Sequence, residues 1–383
     1  MADYADLHSD APGAPPLVDT PDALTAALEI LLAHPRIAVD TESNSLYAYR
    51  ERACLLQFSV PDADFVVDPL AIPDLEPLRP LFESPSLEKV FHAADYDLMV
   101  LRRDFGFHCR SLFDTMWAAR VLGWPRVGLG DVLEARLGIR LDKRFQRYDW
   151  ARRPLTPEVL RYAQLDSHYL LQLREIEMAE LAAAGRWPEA QEIFDYLAES
   201  VHPPDLADPA PHFWRIKGVH DLRAHEQRLL YQLHLWREAE AQRLDRPPMK
   251  VLANARLIAL AQVQPRTRQE LQDAGLTAHQ VHRFGNGILK ALHSYPLVAP
   301  PDPPDGNHVD FDTTLLYKQL KSWRKEVAEV RGVDSDVILP NAALWELAQR
   351  RPSTLADLAG IPGIGPWRQA TYGPDLLGII QRA

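Results

Sequence analysis

The C-terminal half of the chain is written twice, and this repeat limits the possible folds more than any other feature. LYQLHLWREAEAQRLDRPPMKVLANARLIALAQVQP, starting at Leu230, pairs with LYKQLKSWRKEVAEVRGVDSDVILPNAALWELAQRRP, starting at Leu316. Trp236 falls on Trp323, Leu257 on Leu344 and Pro265 on Pro352, and after a one-residue slip Phe284-Gly285 falls on Tyr372-Gly373. Neither copy contains a convincing strand. Two copies are too few, and each too long, for a solenoid, so the pattern predicts two copies of one small helical domain. Proline marks the limits: VHPPDLADPAP (201–211) and YPLVAPPDPPDGNHVD (295–310) read as semi-rigid linkers. The predicted division is a mobile tail over 1–16, a domain over 17–200, a linker over 201–212, a first helical domain over 213–296, a Pro-rich linker over 297–311 and a second helical domain over 312–383.

The segment ahead of the repeat alternates strand and helix signals. RIAVDT, ACLLQFSV, FVVDPL and KVFHA read as short strands; LEPLRPLFES, DYDLMVLRRDFG, DTMWAARVLG and PEVLRYAQLDSHYLLQLREIEMAELAA read as helices. The order predicts an α/β sandwich around a central sheet. A composition of 46% hydrophobic and 25% charged residues excludes global disorder and fibrous folds. No apolar run approaches the ~18 residues of a membrane span, and MADYADLHSDAPGAPP is no secretory signal. Only Cys54 and Cys109 are present, without a C-x-x-C pattern, which argues against a disulfide framework or a cysteine zinc site and points to the reducing cytoplasm.

The net charge of −11, taken alone, argues against a nucleic-acid binder. Its distribution reverses that reading. Residues 213–296 carry 13 Lys/Arg against 7 Asp/Glu, an electrostatic footprint for phosphates, whereas 312–383 carry 9 against 8. The acidic excess lies in the first segment, where carboxylates can hold metal ions.

Three carboxylate patterns stand out there. Asp40 and Glu42 end RIAVDTES; at i and i+2 of a strand they project from one face, with Thr41 pointing away. Two acids so placed repel each other unless a cation sits between them. Tyr162 and Asp166 are at i and i+4 of a helix, so phenol and carboxylate share a face. In VFHAADYDLMV, either Asp95 or Asp97 stands where a strand gives way to a helix. Each pattern alone is common.

Taken in order, they resemble the three exonuclease motifs of the DEDD superfamily, tyrosine subclass. DTESNSL, FHAADYDLMVLRRDFG and DKRFQRYDWARRPLTPEVLRYAQLDSHYLLQL correspond to the first, second and third motifs, and LFDTMWAARVLG is a familiar continuation. The repeated module resembles the HRDC domain shared by RecQ-type helicases and ribonuclease D, and the whole chain resembles the ribonuclease D family. The resemblance implies a ribonuclease H-like α/β exonuclease domain, with a mixed sheet flanked by helices, ahead of two all-α HRDC-like domains. It selects Asp97 over Asp95, five residues after His92. It implies that Asp40, Glu42, Asp97 and Asp166 bind two divalent ions, Mg²⁺ or Mn²⁺, with Asp40 bridging and Tyr162 orienting the attacking water. His168, two residues beyond Asp166, reads as structural. Thr41, Leu46 and His92 are expected at the 3′-terminal nucleotide, with Lys143 and Gln146 as further candidates. Phe145, Tyr148 and Trp150 can stack on bases, although packing is the better expectation for Trp150. Asp114 is expected to cap the following helix.

The implied activity is 3′–5′ exoribonuclease action releasing nucleoside 5′-monophosphates from tRNA precursors and other RNAs with a free 3′ end. The first helical domain offers Arg228, Arg237, Arg243, Arg246, Lys250 and Arg256 to phosphates, and Arg243 and Lys250 are the residues assigned to substrate. The second copy reads as mainly architectural: its LAGIPGIGPWRQ turn can cradle phosphate through backbone amides, but a tight interhelical turn is slightly preferred. A DNA exonuclease and a non-catalytic RNA scaffold are the alternatives. No G-x-x-x-x-G-K-[ST] loop occurs, so no NTP is expected, and no membrane partner is expected either.

Overall fold

A computed structural model describes residues 13–203, 210–302 and 310–383. Parts of the expected tail and linkers, at 1–12, 204–209 and 303–309, lie outside the described residues. The chain forms two units, one of Met1–Ser43, Ala53–Pro203 and Asp310–Ala383, the other of Asn44–Arg52 and Pro204–Val309.

In the first unit, strands β1 (Leu17–Val18), β2 (Arg36–Ser43), β3 (Ala53–Val60), β4 (Ala63–Val67), β5 (Glu88–Phe91) and β6 (Leu112–Asp114) form one mixed sheet in the order β1-β4-β3-β2-β5-β6. β2, β3 and β4 are antiparallel neighbours; the outer pairings β1–β4, β2–β5 and β5–β6 are parallel. Every residue of β3 is buried, the expected pattern for a central strand covered on both faces. Leu56, Phe58 and Val60 join a large core with α1 (Pro21–Leu32), α3 (Asp95–Phe105) and α8 (Trp187–Ser200); a short α2 (Arg79–Glu83) closes its margin. Cys54 and Leu55 instead join a smaller cluster with Val159, Leu160 and Ala163 of α6 (Pro157–His168). α4 (Thr115–Leu122), α5 (Leu129–Leu137) and α7 (Leu170–Ala183) complete this part. The expected α/β layering is thus present.

Several elements differ from the expectation. β6 and β1 are too short to carry a periodicity signal. The helix expected to run unbroken from 157 is two helices, broken at Tyr169, where the backbone turns to φ −94 and ψ −3.

The second unit holds α9 (Ala210–Phe213), α10 (Ala224–Leu244), α11 (Pro248–Val251), α12 (Asn254–Val263), α13 (Arg268–Asp273) and α14 (Ala278–His293). The segment 44–52 belongs to it: the Tyr49 amide donates to Asp245 Oδ1 (3.1 Å) and its hydroxyl to Glu238 Oε2 (3.4 Å). The remainder of the first unit holds α15 (Phe311–Arg331), α16 (Ser335–Ile338), α17 (Asn341–Arg350) and α18 (Pro366–Arg382). The repeat is visible in three dimensions. Arg237 donates to the Leu252 carbonyl and Asn254 Oδ1, and Arg324 to the Leu339 carbonyl and Asn341 Oδ1. Trp236 meets Phe284 edge-on, as Trp323 meets Tyr372.

The second copy is fastened to the exonuclease-like part. Arg331 forms a forked pair with Glu189 of α8 (2.7 and 2.5 Å), Arg120 of α4 reaches Asp334 and Asp336, and Val337 sits within the large core.

Candidate active site

β2 delivers the first two acids. Asp40 lies opposite Gln57 and Glu42 opposite Leu55 of β3, and a register shift between Glu42 and Ser43 ends the regular pairing just beyond them. Helix α6 crosses β2 and β3 and brings Asp166. One carboxylate oxygen each from Asp40, Glu42 and Asp166 falls within 4.8 Å of the others. An all-oxygen donor set of this kind fits a hard divalent cation and not a thiophilic one.

Asp97 opens α3 and is 5% exposed, whereas Asp95 is exposed. Asp97 stands outside the three-carboxylate group but close enough to repel Asp40. Its Oδ1 accepts a 2.6 Å hydrogen bond from Thr41 Oγ1. The Thr41 hydroxyl is thus committed to a carboxylate.

The electrostatics of the cluster are those of like charges held together. Burial, followed by repulsion from Asp97, Asp166 and Glu42, holds Asp40 well above the usual carboxylate range. Burial and then Asp166 and Asp97 do the same to Glu42. Burial pushes Asp97 and Asp166 up to about 7. A bound cation would return all four to their charged forms. Burial and the carboxylates of Asp166 and Glu42 also raise the Tyr162 phenol above its ordinary 10, so it is a protonated hydrogen-bonding group at neutral pH.

Tyr162 is fixed by rings. Phe145 meets it edge-on at 5.5 Å and Trp150 lies 6.1 Å away; Tyr148 bridges Phe145 and Trp150. These aromatics are the sequence's candidates for base stacking. Trp150 is buried, as expected, and Phe145 and Tyr148 are half-buried in the same cluster, so the group packs around the phenol. Lys143 and Gln146 are exposed on the same segment.

His92 follows β5. Its Nδ1 lies 2.8 Å from Thr115 Oγ1, which itself donates to the Phe91 carbonyl, and burial lowers its pKa to about 4, so it is neutral. Asp114 caps α4 through the Trp117 amide, as expected, but it also accepts from the Ala93 and Ala94 amides (3.1 and 2.7 Å). Ala93 has φ +63, a conformation costly without glycine, and Asp114 stabilises the turn that presents α3 and Asp97. This second role has no sequence signal; nothing in FDT alone marks a partner twenty residues upstream. His168 pairs with Asp64 (2.8 Å), consistent with a structural role.

In the second unit, Leu46 is exposed within the segment 44–52. Arg237, expected at the surface, is instead buried, because it ties α10 to the chain around Leu252 and Asn254. Arg243 is exposed but forked onto Glu240, which offsets its charge. Lys250, Arg228, Arg246 and Arg256 are exposed.

Comparison with known proteins agrees with this geometry. Residues 15–181 match the 3′-5′ exonuclease domain, and 226–292 and 314–380 each match the HRDC domain. The chain is 32% identical over 279 residues to the RRP6-like 3 protein of Arabidopsis thaliana, which covers 67% of the chain but only 31% of that protein's length. It is 28% identical over 379 residues to Escherichia coli ribonuclease D, covering 95% of the chain and 98% of the relative. The crystal structure of that E. coli protein, described as an exoribonuclease involved in structured RNA processing, superposes with a TM-score of 0.71 at 27% identity, over 96% of this chain and 99% of that one. Fold and acids therefore define an exonuclease domain followed by two HRDC domains. Within that class the chain is similar to ribonuclease D over nearly its whole length.

Proposed function

We propose that the protein is a divalent-metal-dependent 3′–5′ exoribonuclease that removes nucleoside 5′-monophosphates from RNA 3′ ends, including those of tRNA precursors. The observation that carries the reading is the convergence of Asp40, Glu42 and Asp166 within 4.8 Å beside Tyr162, with Asp97 adjoining. Asp40, Glu42 and Asp166 would hold one Mg²⁺ or Mn²⁺, and Asp97 with Asp40 a second. When bound, such ions neutralise phosphate charge and lower the pKa of water. The chain's own residues supply position. The Tyr162 hydroxyl donates to, or accepts from, a water between Asp166 and Glu42, and the surrounding aromatics keep it from rotating away. Thr41 orients Asp97 through its 2.6 Å bond. Neutral His92, Leu46, Lys143 and Gln146 are assigned to the terminal nucleotide, and Lys250 and Arg243 to the RNA that follows.

No helix among the described residues is long and apolar enough to cross a membrane. Cys54 and Cys109 are both buried and neither is in a disulfide, which suits the cytoplasm we assign.

The test is cleavage of an RNA with a free or a blocked 3′ end, with and without EDTA. The expected result is stepwise release of nucleoside 5′-monophosphates from the free end only, abolished by EDTA. Asp40→Asn and Asp166→Asn should each abolish turnover while RNA binding persists. Full turnover by purified Asp40→Asn protein would overturn the assignment, and equal action on a matched DNA strand would favour a DNA exonuclease.

A further inference from the structure

One side chain in the middle of the sheet is polar where packing alone calls for an apolar residue. Gln57 of β3 is fully buried, and neither its amide nitrogen nor its amide oxygen has a hydrogen-bond partner among the described residues. A buried amide in that state destabilises a fold, because both atoms give up water and gain nothing in return. A leucine would fill the same place without that penalty, as the chain neighbours Leu56 and Phe58 fill theirs.

The face on which Gln57 stands narrows the explanation. Side chains alternate along β3, so Gln57 shares the α6 side of the sheet with Leu55 and Ser59. Directly across on β2 is Asp40, and directly across on β4 is Val66. Side chains opposed in this way have Cβ atoms roughly 5 Å apart, within reach of a glutamine amide. Leu55 and Val66 are apolar and pack with Ala163 of α6. Ser59 is engaged by Ser167 of α6, Oγ to Oγ at 2.7 Å, and Ser167 in turn donates to the Gln164 carbonyl. Of these four neighbours Asp40 alone has acceptor capacity to offer. One of its oxygens gathers with those of Glu42 and Asp166, and a carboxylate has a second oxygen to give.

We propose that Gln57 is a positioning residue for Asp40: its amide N–H donates to the carboxylate oxygen turned away from Glu42 and Asp166, and so fixes the plane in which Asp40 meets a divalent cation. No such bond is present among the described residues, so the contact is one that forms as Asp40 takes the cation. Hydrogen-bond partners behind a ligating carboxylate orient it and tune its hold on the metal. The inference rests on the reading of Asp40 as a metal ligand and deepens it. It also gives ACLLQFSV, an apolar strand by sequence, a second task beyond filling the core.

The test is binding of Mn²⁺ alone to the full chain by isothermal titration calorimetry at neutral pH, with the metal-free melting temperature of each protein measured alongside. Gln57→Met keeps the length of the side chain and removes both orphaned atoms. It should hold or raise the metal-free melting temperature while weakening Mn²⁺ roughly ten- to hundredfold. The Mn²⁺ concentration for half-maximal cleavage should rise by the same factor, with kcat at saturating Mn²⁺ largely retained. Val66→Ala loosens the other wall around the same amide, so it should lower the melting temperature and leave the Mn²⁺ affinity as it was. An unchanged affinity in Gln57→Met, or an equal loss in Val66→Ala, overturns the role. If Gln57→Met melts early, Gln57→Asn decides: it keeps the amide but draws it back by one methylene, so it should again weaken Mn²⁺, and an unchanged affinity overturns the role. Cleavage of RNA by the unmutated protein is scored separately. Mn²⁺ that is bound, and bound more weakly by Gln57→Met, with RNA never cut defeats the exoribonuclease reading and leaves the Gln57 assignment standing. RNA that is cut, with Mn²⁺ affinity unchanged in the variant, does the reverse. No binding of Mn²⁺ by the unmutated protein defeats both.

Discussion

Four carboxyls with few counter-charges make the site a source of strain without metal, and the sign of its pH dependence follows. Asp97 and Asp166 titrate near 7 in the fold, against the usual 3.8. Below about pH 4 both states are protonated. Between about 4 and 7 the unfolded chain releases protons that the fold retains, so metal-free stability should fall as pH rises through that window. Asp166→Asn should therefore raise the metal-free melting temperature at pH 7.5 by roughly 2–5 °C and have little effect at pH 4, as calorimetry can check. Mg²⁺ or Mn²⁺ should raise the melting temperature of the unmutated protein far more than that of the variant. Tyr162→Phe should lower kcat by about 10²-fold without removing a limb of the pH–rate profile between 5 and 9, because the phenol does not ionise there. The acids themselves were legible: a two-residue period in a strand and a four-residue period in a helix put carboxylates on shared faces before any coordinates. Arg237 was not legible, since nothing in its sequence neighbourhood distinguishes an exposed arginine from one that bonds a carbonyl fifteen residues away.

At the scale of elements, the turn between β5 and α3 is where geometry is enforced. Asp114 holds the Ala93 and Ala94 amides and so fixes the angle at which α3 presents Asp97. Asp114→Ala should cost about 10- to 100-fold in turnover and raise the metal concentration needed for half-maximal rate, the mark of a supporting residue and not of a folding defect alone. Asp114→Asn should recover part of the loss by keeping one acceptor. This turn is invisible in sequence because β6 is three residues long and its parallel partner is β5, a pairing that leaves no local pattern. The break at Tyr169 is hidden for the opposite reason: apolar residues continue at helical spacing through it, and only the change of packing partner, from the sheet face under α6 to α4 beside α7, shows that a new helix has begun.

At the scale of the whole molecule, the repeat and the linkers predict three parts, whereas the structure divides into two units, with the second copy grouped with the exonuclease domain. That grouping includes ion pairs between residues 142 to 216 positions apart and the packing of Val337 in the large core. Glu189 is fully buried and its forked partner is Arg331. Arg331→Ala should destabilise the protein by about 3–5 kcal/mol in urea unfolding, because it leaves a buried charge uncompensated. Adding Glu189→Gln to that variant should restore part of the loss by removing the stranded charge. The Glu192 carboxylate of α8 accepts from the Trp367 and Arg368 amides at the start of α18, and this has a further consequence. Tandem modules ordinarily multiply the hold on a flexible ligand by tethering it at two points at once. Here the start of α18 is already plugged from inside, so in the second copy the repeated module serves as a joint to α8.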